Sequence, residues 1–101
     1  MTDLYKIPKI AAGKEYVEIL FEENSTRIER ITSPVGFVSG WYDQEESEWL
    51  ILLQGTATLE YDDNTIITLK AGDTLTIPPH KVHRVIDTSE NPLCIWLCVF
   101  V

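Results

Sequence analysis

Apolar and β-branched residues recur along the chain in short runs broken by turn residues, and no window shows the spacing of an amphipathic helix. Residues 56–61 alternate small or polar with apolar side chains, which is typical of a strand with one wet face. Turn-forming sequences such as residues 62–64 and 71–73 separate the runs. Short strands at this spacing predict an all-β sandwich or barrel with antiparallel pairing. The predicted strands lie near residues 16–21, 26–32, 36–42, 48–54, 56–61, 65–69, 74–77, 82–87 and 93–101.

The last predicted strand, residues 93–101, is apolar on both faces. Cys94, Trp96, Cys98 and Phe100 share one face, which can fill a core. The other face must meet a second sheet, the N-terminal segment or another subunit, because an apolar strand face left in water favours aggregation. The two cysteines would lie about 13 Å apart on an extended strand, too far for a disulfide, so both are expected to be buried free thiols.

Composition narrows the classes of function. A chain of 101 residues, 45% apolar and 24% charged, predicts a single domain over residues 1–101. Sixteen acidic against eight basic residues give a net charge of -8, which repels phosphate backbones and anionic lipids. Nucleic acids and membranes are therefore not expected as partners. The N-terminus lacks the apolar core of a signal peptide, and the longest apolar stretch is half the roughly 20 residues of a membrane helix, so a cytoplasmic location is expected.

Two stretches carry motif spacings that bear on fold and function. Residues 36–55 match the spacing G(X)5HXH(X)3-4E(X)6G, and residues 72–87 resemble G(X)5PXG(X)2H(X)3N. These are the two motifs of the cupin superfamily, so the chain resembles a small single-domain cupin. The resemblance covers half the chain and implies a double-stranded β-helix, which is a small jelly-roll barrel. Gly55 and Gly72 are expected in turns that need a positive φ or a close backbone approach.

The resemblance also identifies the positions at which cupins bind a divalent metal. The two histidines and the glutamate of the first motif and the histidine of the second align with Tyr42, Gln44, Glu48 and His83. Both first-motif histidines are thus absent, and this motif is degenerate. Glutamine and neutral tyrosine are weak ligands for first-row metals, so a three-histidine iron site is excluded. Any divalent ion, whether Zn, Mn, Fe or Ni, is expected to be held weakly by Glu48 and His83.

Strand alternation predicts how these side chains are arranged. Tyr42, Gln44 and, if the segment stays extended, Glu48 have the same parity and should face the barrel interior with His83 opposite. The same parity sends Asp43 outward, and the acidic residues around it read either as a solvated turn or as additional carboxylates near the site.

Further interpretations concern catalysis and ligand contact. A carboxylate beside an imidazole fixes its tautomer, so Glu48 and His83 are a candidate acid/base pair, the alternative being a buried polar pair that satisfies itself. Trp41 could stack on a flat ligand near the mouth of the barrel. A motif frame shifted by one residue would also put Trp41 at a ligand position, but it spoils the spacing from the first glycine. His80 replaces the usual glycine of the second motif and is expected in a turn at the mouth, either contacting ligand or simply exposed.

Two function classes follow from these residues. The first is a small-molecule-binding or sensing cupin with a degenerate metal site, in which the four interior side chains contact a small polar molecule. The second is a small cupin enzyme, isomerase-like, epimerase-like or otherwise metal-assisted, or metal-free with the acid/base pair, acting on a sugar or a keto acid. Because cupins commonly dimerise through their outer β-surfaces, the resemblance also implies a homodimer.

Overall fold

The computed structural model describes residues 1–101 and contains strands, turns and loops but no helix. The strands pair into two antiparallel sheets, a large sheet of five strands and a small sheet of three. The predicted all-β class, a small jelly-roll barrel, is therefore confirmed. The chain has no helix long and apolar enough to cross a membrane. The strands are β1 (Tyr16–Glu23), β2 (Thr26–Ser33), β3 (Glu48–Gln54), β4 (Thr56–Tyr61), β5 (Ile66–Lys70), β6 (Thr74–Ile77), β7 (His83–Thr88) and β8 (Cys94–Phe100). The large sheet has the order β1-β2-β8-β3-β6 and the small sheet the order β5-β4-β7.

The core lies between the two sheets and is centred on β3 and β8. Leu50 and Leu52 of β3 pair in register with Cys98 and Trp96 of β8, so these four buried side chains point to the same inner face. Full burial of a side chain of leucine size contributes roughly 1.5–3 kcal/mol. The prediction that one face of the last strand fills the core is confirmed.

The opposite face of β8 is partly covered by the N-terminal arm, which we define as residues 1–15. Arg30 of β2 points to this outer face and its guanidinium donates to the backbone carbonyl of Asp3 at 2.8 Å. Two further hydrogen bonds of 2.8 Å join Arg30 to the carboxylate of Glu18. Thr32 and Ile95, on the same face, are fully buried. We expected a second sheet, the N-terminal segment or another subunit to cover the outer face of β8. The N-terminal arm covers one part of it.

The remainder of the outer face carries a continuous apolar row. Phe21, Ile28, Val99 and Trp49 are successive cross-strand partners on β1, β2, β8 and β3. The two aromatic members remain 46% and 41% exposed, respectively. We call these four side chains the outer apolar row.

The predicted strand at residues 36–42 is wrong. Within this segment only Tyr42 forms a bridge, an isolated one to His83. At Ser39 the backbone N donates to Val85 O at 2.9 Å, as in a strand pair. The return bond, however, goes from Val85 N to the Ser39 hydroxyl at 2.9 Å, so a side chain replaces the backbone carbonyl. Two glycines and a preceding proline loosen the segment, so it runs along β7 without the regular pairing of a strand.

Both turn glycines behave as predicted, but for different reasons. Gly55 has a φ of 88°, and a β-carbon placed there would lie 2.7 Å from Ser89 Oγ and 3.0 Å from Cys94 Cα. Gly72 has a φ of 92° with open space around it. Gly55 follows β3, whereas Glu48 begins it, so this crowded turn and the predicted site lie at opposite ends of the strand. We refer to these as the Gly55 end and the His83 end of the barrel.

Candidate functional site

A cavity of about 60 Å³ lies between the sheets at the His83 end. Its walls are largely apolar, with Leu50 and Trp96 contributed by the large sheet and Leu59 and Val85 by the small one. A wider groove of about 250 Å³ adjoins the cavity, and we call it the mouth. Such a small, mostly apolar chamber with a few polar groups has the general character of a small-ligand site.

Three of the four polar side chains predicted to face the interior line the cavity, and the fourth, Gln44, lines the mouth. Glu48 is the first residue of β3 and His83 the first residue of β7, and both side chains are buried against the cavity. Gln44 donates from Nε2 to Glu48 Oε1 at 3.0 Å, although the chain bends at residues 45–46 and does not stay extended. This hydrogen bond from the Gln44 amide fixes the position of Glu48 Oε1.

The imidazole of His83 has one partnered and one unpartnered nitrogen. Nδ1 lies 2.7 Å from the backbone carbonyl of Lys81, and because a carbonyl only accepts, Nδ1 carries the proton. In the neutral ring Nε2 is then a bare acceptor. Its nearest charged neighbour, Glu48 Oε1, lies 3.9 Å away, beyond hydrogen-bond distance. Two acceptor atoms therefore face each other across a gap with no donor between them.

Tyr42 closes one side of this arrangement. Its ring centroid lies 5.5 Å from that of His83, and the two backbones are joined by hydrogen bonds of 2.7 and 3.1 Å. Burial, together with the negative charge of Glu15, raises the pKa of the Tyr42 hydroxyl, so the phenol stays neutral and can donate to a ligand. The side chain is half-exposed and lies where the cavity joins the mouth.

Glu15 also lines the cavity, and sequence reasoning missed it. The Ser33 hydroxyl donates to Glu15 Oε2 at 3.0 Å and accepts a hydrogen bond of 3.0 Å from the indole Nε1 of Trp96. Burial raises the pKa of the Glu15 carboxyl, and the negative charges of Glu29 and Glu48 add to the effect. The one available signal was parity, since Glu15 has the same parity as the inward positions Val17 and Ile19 of β1.

The cysteine that lines the cavity is in an environment that disfavours the reactive thiolate. Cys98 is a free thiol, and burial, with the neighbouring Glu48 carboxylate, raises its pKa well above the usual value. Nucleophilic cysteines are thiolates in electropositive surroundings, which is the opposite environment. The prediction of two buried free thiols is confirmed.

The structure does not bring Trp41 and His80 to the cavity. His80 is largely exposed, and its Nδ1 lies 2.7 Å from Asp43 Oδ1 on the outside of the barrel. Trp41 packs under the guanidinium of Arg84, whose carbon lies 4.4 Å from the ring centroid. Both residues thus have partners on the outer surface, and the outward direction predicted for Asp43 agrees with this placement.

The donor atoms present do not fit a standard divalent metal site. Glu48 and His83 contribute one carboxylate and one imidazole nitrogen, while the other two positions carry a neutral phenol and an amide that already donates to Glu48. No three His, Cys, Asp or Glu side chains converge as a metal-binding group. Catalytic and structural sites for zinc and similar ions use three or four such ligands.

The comparison with protein families decides what this barrel is. The model of the Cupin domain family matches residues 30–100. The chain belongs to the cupin family. The match begins within β2, runs to the end of β8 and includes both motifs, so the resemblance read from residues 36–87 is confirmed. No curated protein matches the chain.

Solved structures agree with the family. A protein of Ralstonia eutropha JMP134, provisionally assigned as a mannose-6-phosphate isomerase, is 32% identical, with a TM-score of 0.82 over 99% of this chain and 95% of that one. A cupin superfamily protein of Desulfitobacterium hafniense is 18% identical, with a TM-score of 0.80 over 93% and 83% of the two chains. An RmlC-like cupin of Desulfovibrio desulfuricans is 16% identical, with a TM-score of 0.81 over 99% and 94%. The last two show the fold alone.

Proposed function

We propose that this cupin binds a small polar molecule in the cavity, as a binding or sensing module without a tight metal. The observation that carries the proposal is the unpartnered Nε2 of His83, whose side chain is only 5% exposed. The His83 side chain borders the cavity, so a partner for Nε2 has to come from the cavity, either as water or as a ligand. Gln44, Glu48 and Tyr42 surround the same space with further hydrogen-bonding groups.

Replacing His83 with alanine should abolish ligand-induced stabilisation. A ligand at about 100 times its Kd stabilises the folded state by roughly 2.7 kcal/mol. For a domain of this size that corresponds to a rise in Tm of roughly 10 °C or more. The measurement is a thermal-shift screen of neutral sugars, keto acids, amines and metal ions, in which hits on the wild type should be lost in His83→Ala.

His80→Ala provides the matched control, because His80 is the chain's other histidine and lies outside the cavity. It should respond to each ligand as the wild type does. If His83→Ala and the wild type are stabilised equally by every compound, the cavity does not bind ligand through His83 and the proposal fails.

A small cupin enzyme is the second candidate function. The fixed tautomer of His83 leaves Nε2 available as a general base, with Glu48 close enough to stabilise the imidazolium that forms. The 32% identical protein provisionally assigned as a mannose-6-phosphate isomerase also favours this candidate. Turnover of any compound that binds would favour the enzyme over the binding module. The rate should then have a bell-shaped dependence on pH and should be lost in His83→Ala.

We also propose that a second copy of the chain covers the outer apolar row. The wild type should then have twice the mass of the 11.5 kDa chain by light scattering. Trp49→Glu places a charge in the middle of the row and should produce a monomer at the same concentration, because an unpaired buried charge opposes association. Trp41→Glu is the control, since Trp41 is 49% exposed but lies off the row. A wild-type monomer at all concentrations, or equal effects of both variants, contradicts this interface.

A further inference from the structure

The charged side chains that line the cavity are all acidic. Glu15 and Glu48 line the cavity itself, and Glu29 lines the mouth. The carboxyls are close enough to repel one another, since Glu29 and Glu48 both raise the pKa of Glu15 beyond the effect of burial. A ligand entering this space meets a negative potential, which is stronger in a chamber with low-dielectric walls than it is in water.

The one cation at the mouth is already engaged by acids. Arg27 donates from Nε to Glu29 Oε2 at 2.7 Å and from its two terminal nitrogens to the carboxylate of Glu46 at 2.8 and 3.2 Å. Its guanidinium also lies over the ring of Phe100, 4.3 Å from the centroid. No lysine lines either the cavity or the mouth. A phosphate or carboxylate group would therefore find no free positive partner.

The gap between His83 and Glu48 gives independent information on the ligand. His83 Nε2 and Glu48 Oε1 are both acceptors, 3.9 Å apart, and both side chains are more than nine-tenths buried. A group that satisfies them must donate hydrogen bonds, and an N–H group with positive charge makes the stronger, charge-assisted bond to the carboxylate. An acceptor at that point would instead face the unpartnered lone pair of His83 Nε2 and the negative charge of Glu48.

We propose that the cavity selects a small organic cation whose ammonium N–H groups bridge Glu48 and His83 and whose hydrocarbon part packs on Leu59 and Val85. This inference rests on the proposed function, and it adds the chemical class of the ligand. The cavity of about 60 Å³ has room for about four to six non-hydrogen atoms, because a water-sized unit occupies roughly 10–15 Å³ of such volume. The bound part is therefore a short alkylammonium or a group of similar size, and longer molecules would extend into the mouth.

Three probes of one shape test the charge selection: n-propylammonium, 1-propanol and propionate. Each is titrated into the wild-type chain at neutral pH and low salt, and Kd is read from backbone and imidazole NMR shifts, which report binding in the millimolar range. Propylammonium should bind at least about tenfold more tightly than propanol, since it adds a charge-assisted hydrogen bond. Propionate should cause no shifts at the cavity.

Charge variants identify the carboxylates responsible. Glu15→Gln retains an acceptor for Ser33 but removes one negative charge, and it should raise the Kd of propylammonium about three- to tenfold while leaving propanol unchanged. Glu90→Gln changes the net charge equally beyond the far end of β7 and should leave both Kd values as in the wild type. Equal effects of the two variants would overturn the assignment to the cavity carboxylates.

Other outcomes separate the inference from the proposed function. If propanol, propionate or mannose 6-phosphate binds as tightly as the amine and shifts the His83 imidazole, the charge selection is overturned while ligand binding in the cavity stands. If Zn²⁺ binds at Glu48 and His83 more tightly than the amine, a metal replaces the organic cation. If no probe shifts a cavity residue, both the inference and the proposed function are contradicted.

Discussion

Replacing Gly55 with alanine should lower the melting temperature of this protein by roughly 12 °C or more. Two costs add at this position: about 1–2 kcal/mol for an L-residue at positive φ, and about 1–3 kcal/mol for forcing a methyl group into filled space. A loss of about 3 kcal/mol shifts Tm by roughly 4–8 °C per kcal/mol in a domain of this size. Thermal unfolding followed by circular dichroism measures the effect.

The neighbours of Gly55 cannot move aside without breaking hydrogen bonds. Ser89 Oγ accepts from Thr56 N at 3.0 Å and donates to Pro92 O at 2.7 Å. The Cys94 thiol, 2.9 Å from the new methyl position, donates to Thr56 O at 3.0 Å. The third close atom, Cys94 Cα, belongs to the backbone of β8. Relief of the clash therefore requires a shift of β8 itself, which would disturb the core.

Gly72→Ala is the matched control because it has a similar φ and no crowding. It should cost only the backbone component, about 1–2 kcal/mol. If the two variants melt at the same temperature, the close approach at Gly55 is not a source of stability. Chemical denaturation of both variants would check that the slope m is unchanged and that the loss belongs to the native state.

Arg30→Ala should give the second largest loss of stability and should release the N-terminal arm. Arg30 is 5% exposed, and the substitution removes two charge-assisted bonds to Glu18 and the contact with the Asp3 carbonyl. Breaking a buried ion pair costs roughly 3–5 kcal/mol, and the partial exposure of Glu18 places this pair near about 2–3 kcal/mol. Urea unfolding measures the stability, and limited proteolysis or hydrogen exchange measures release of the arm.

The control for this prediction is Arg84→Ala. Arg84 also binds a glutamate, Glu60, at 2.6 and 2.7 Å, but it lies on the outer surface and does not hold the arm. Arg84 and Glu60 are 34% and 17% exposed, so this partly exposed pair should contribute about 1 kcal/mol, near the upper end for surface pairs. Because Glu15 is the last residue of the arm, Arg30→Ala should also weaken ligand binding, whereas Arg84→Ala should not. An arm as protected in Arg30→Ala as in the wild type would show that other contacts hold it.

The parts of the site that could be predicted from the sequence are those set by spacing along the chain. The motif intervals placed Tyr42, Gln44, Glu48 and His83 together, and the structure brings all four to one end of the barrel. Strand alternation likewise predicted the inner face of β8. Both results depend on the regular period of two of a strand and on the fixed order of strands in the family.

The parts that could not be predicted depend on contacts between distant residues. Glu15 reaches the cavity through Ser33 and Trp96, which are 63 residues apart, and no local pattern reports such a contact. The strand predicted at 36–42 was wrong because the Ser39 hydroxyl, rather than the backbone alone, bonds to β7. Trp41 packs against Arg84 on the outer surface and not at the cavity. Strand alternation could predict that Arg84 points outward, but it could not predict that Trp41 is its partner.

The two ends of β3 differ in how closely they are packed. Its last turn, at Gly55, is packed on the backbone of β8 and tolerates no side chain, whereas its first residue, Glu48, borders open space. On the proposed function, substitutions at the His83 end should change which molecule is held while leaving folding intact, and substitutions at the Gly55 end should do the reverse. A lineage of such barrels would then be able to exchange one ligand for another in single steps without passing through unfolded intermediates.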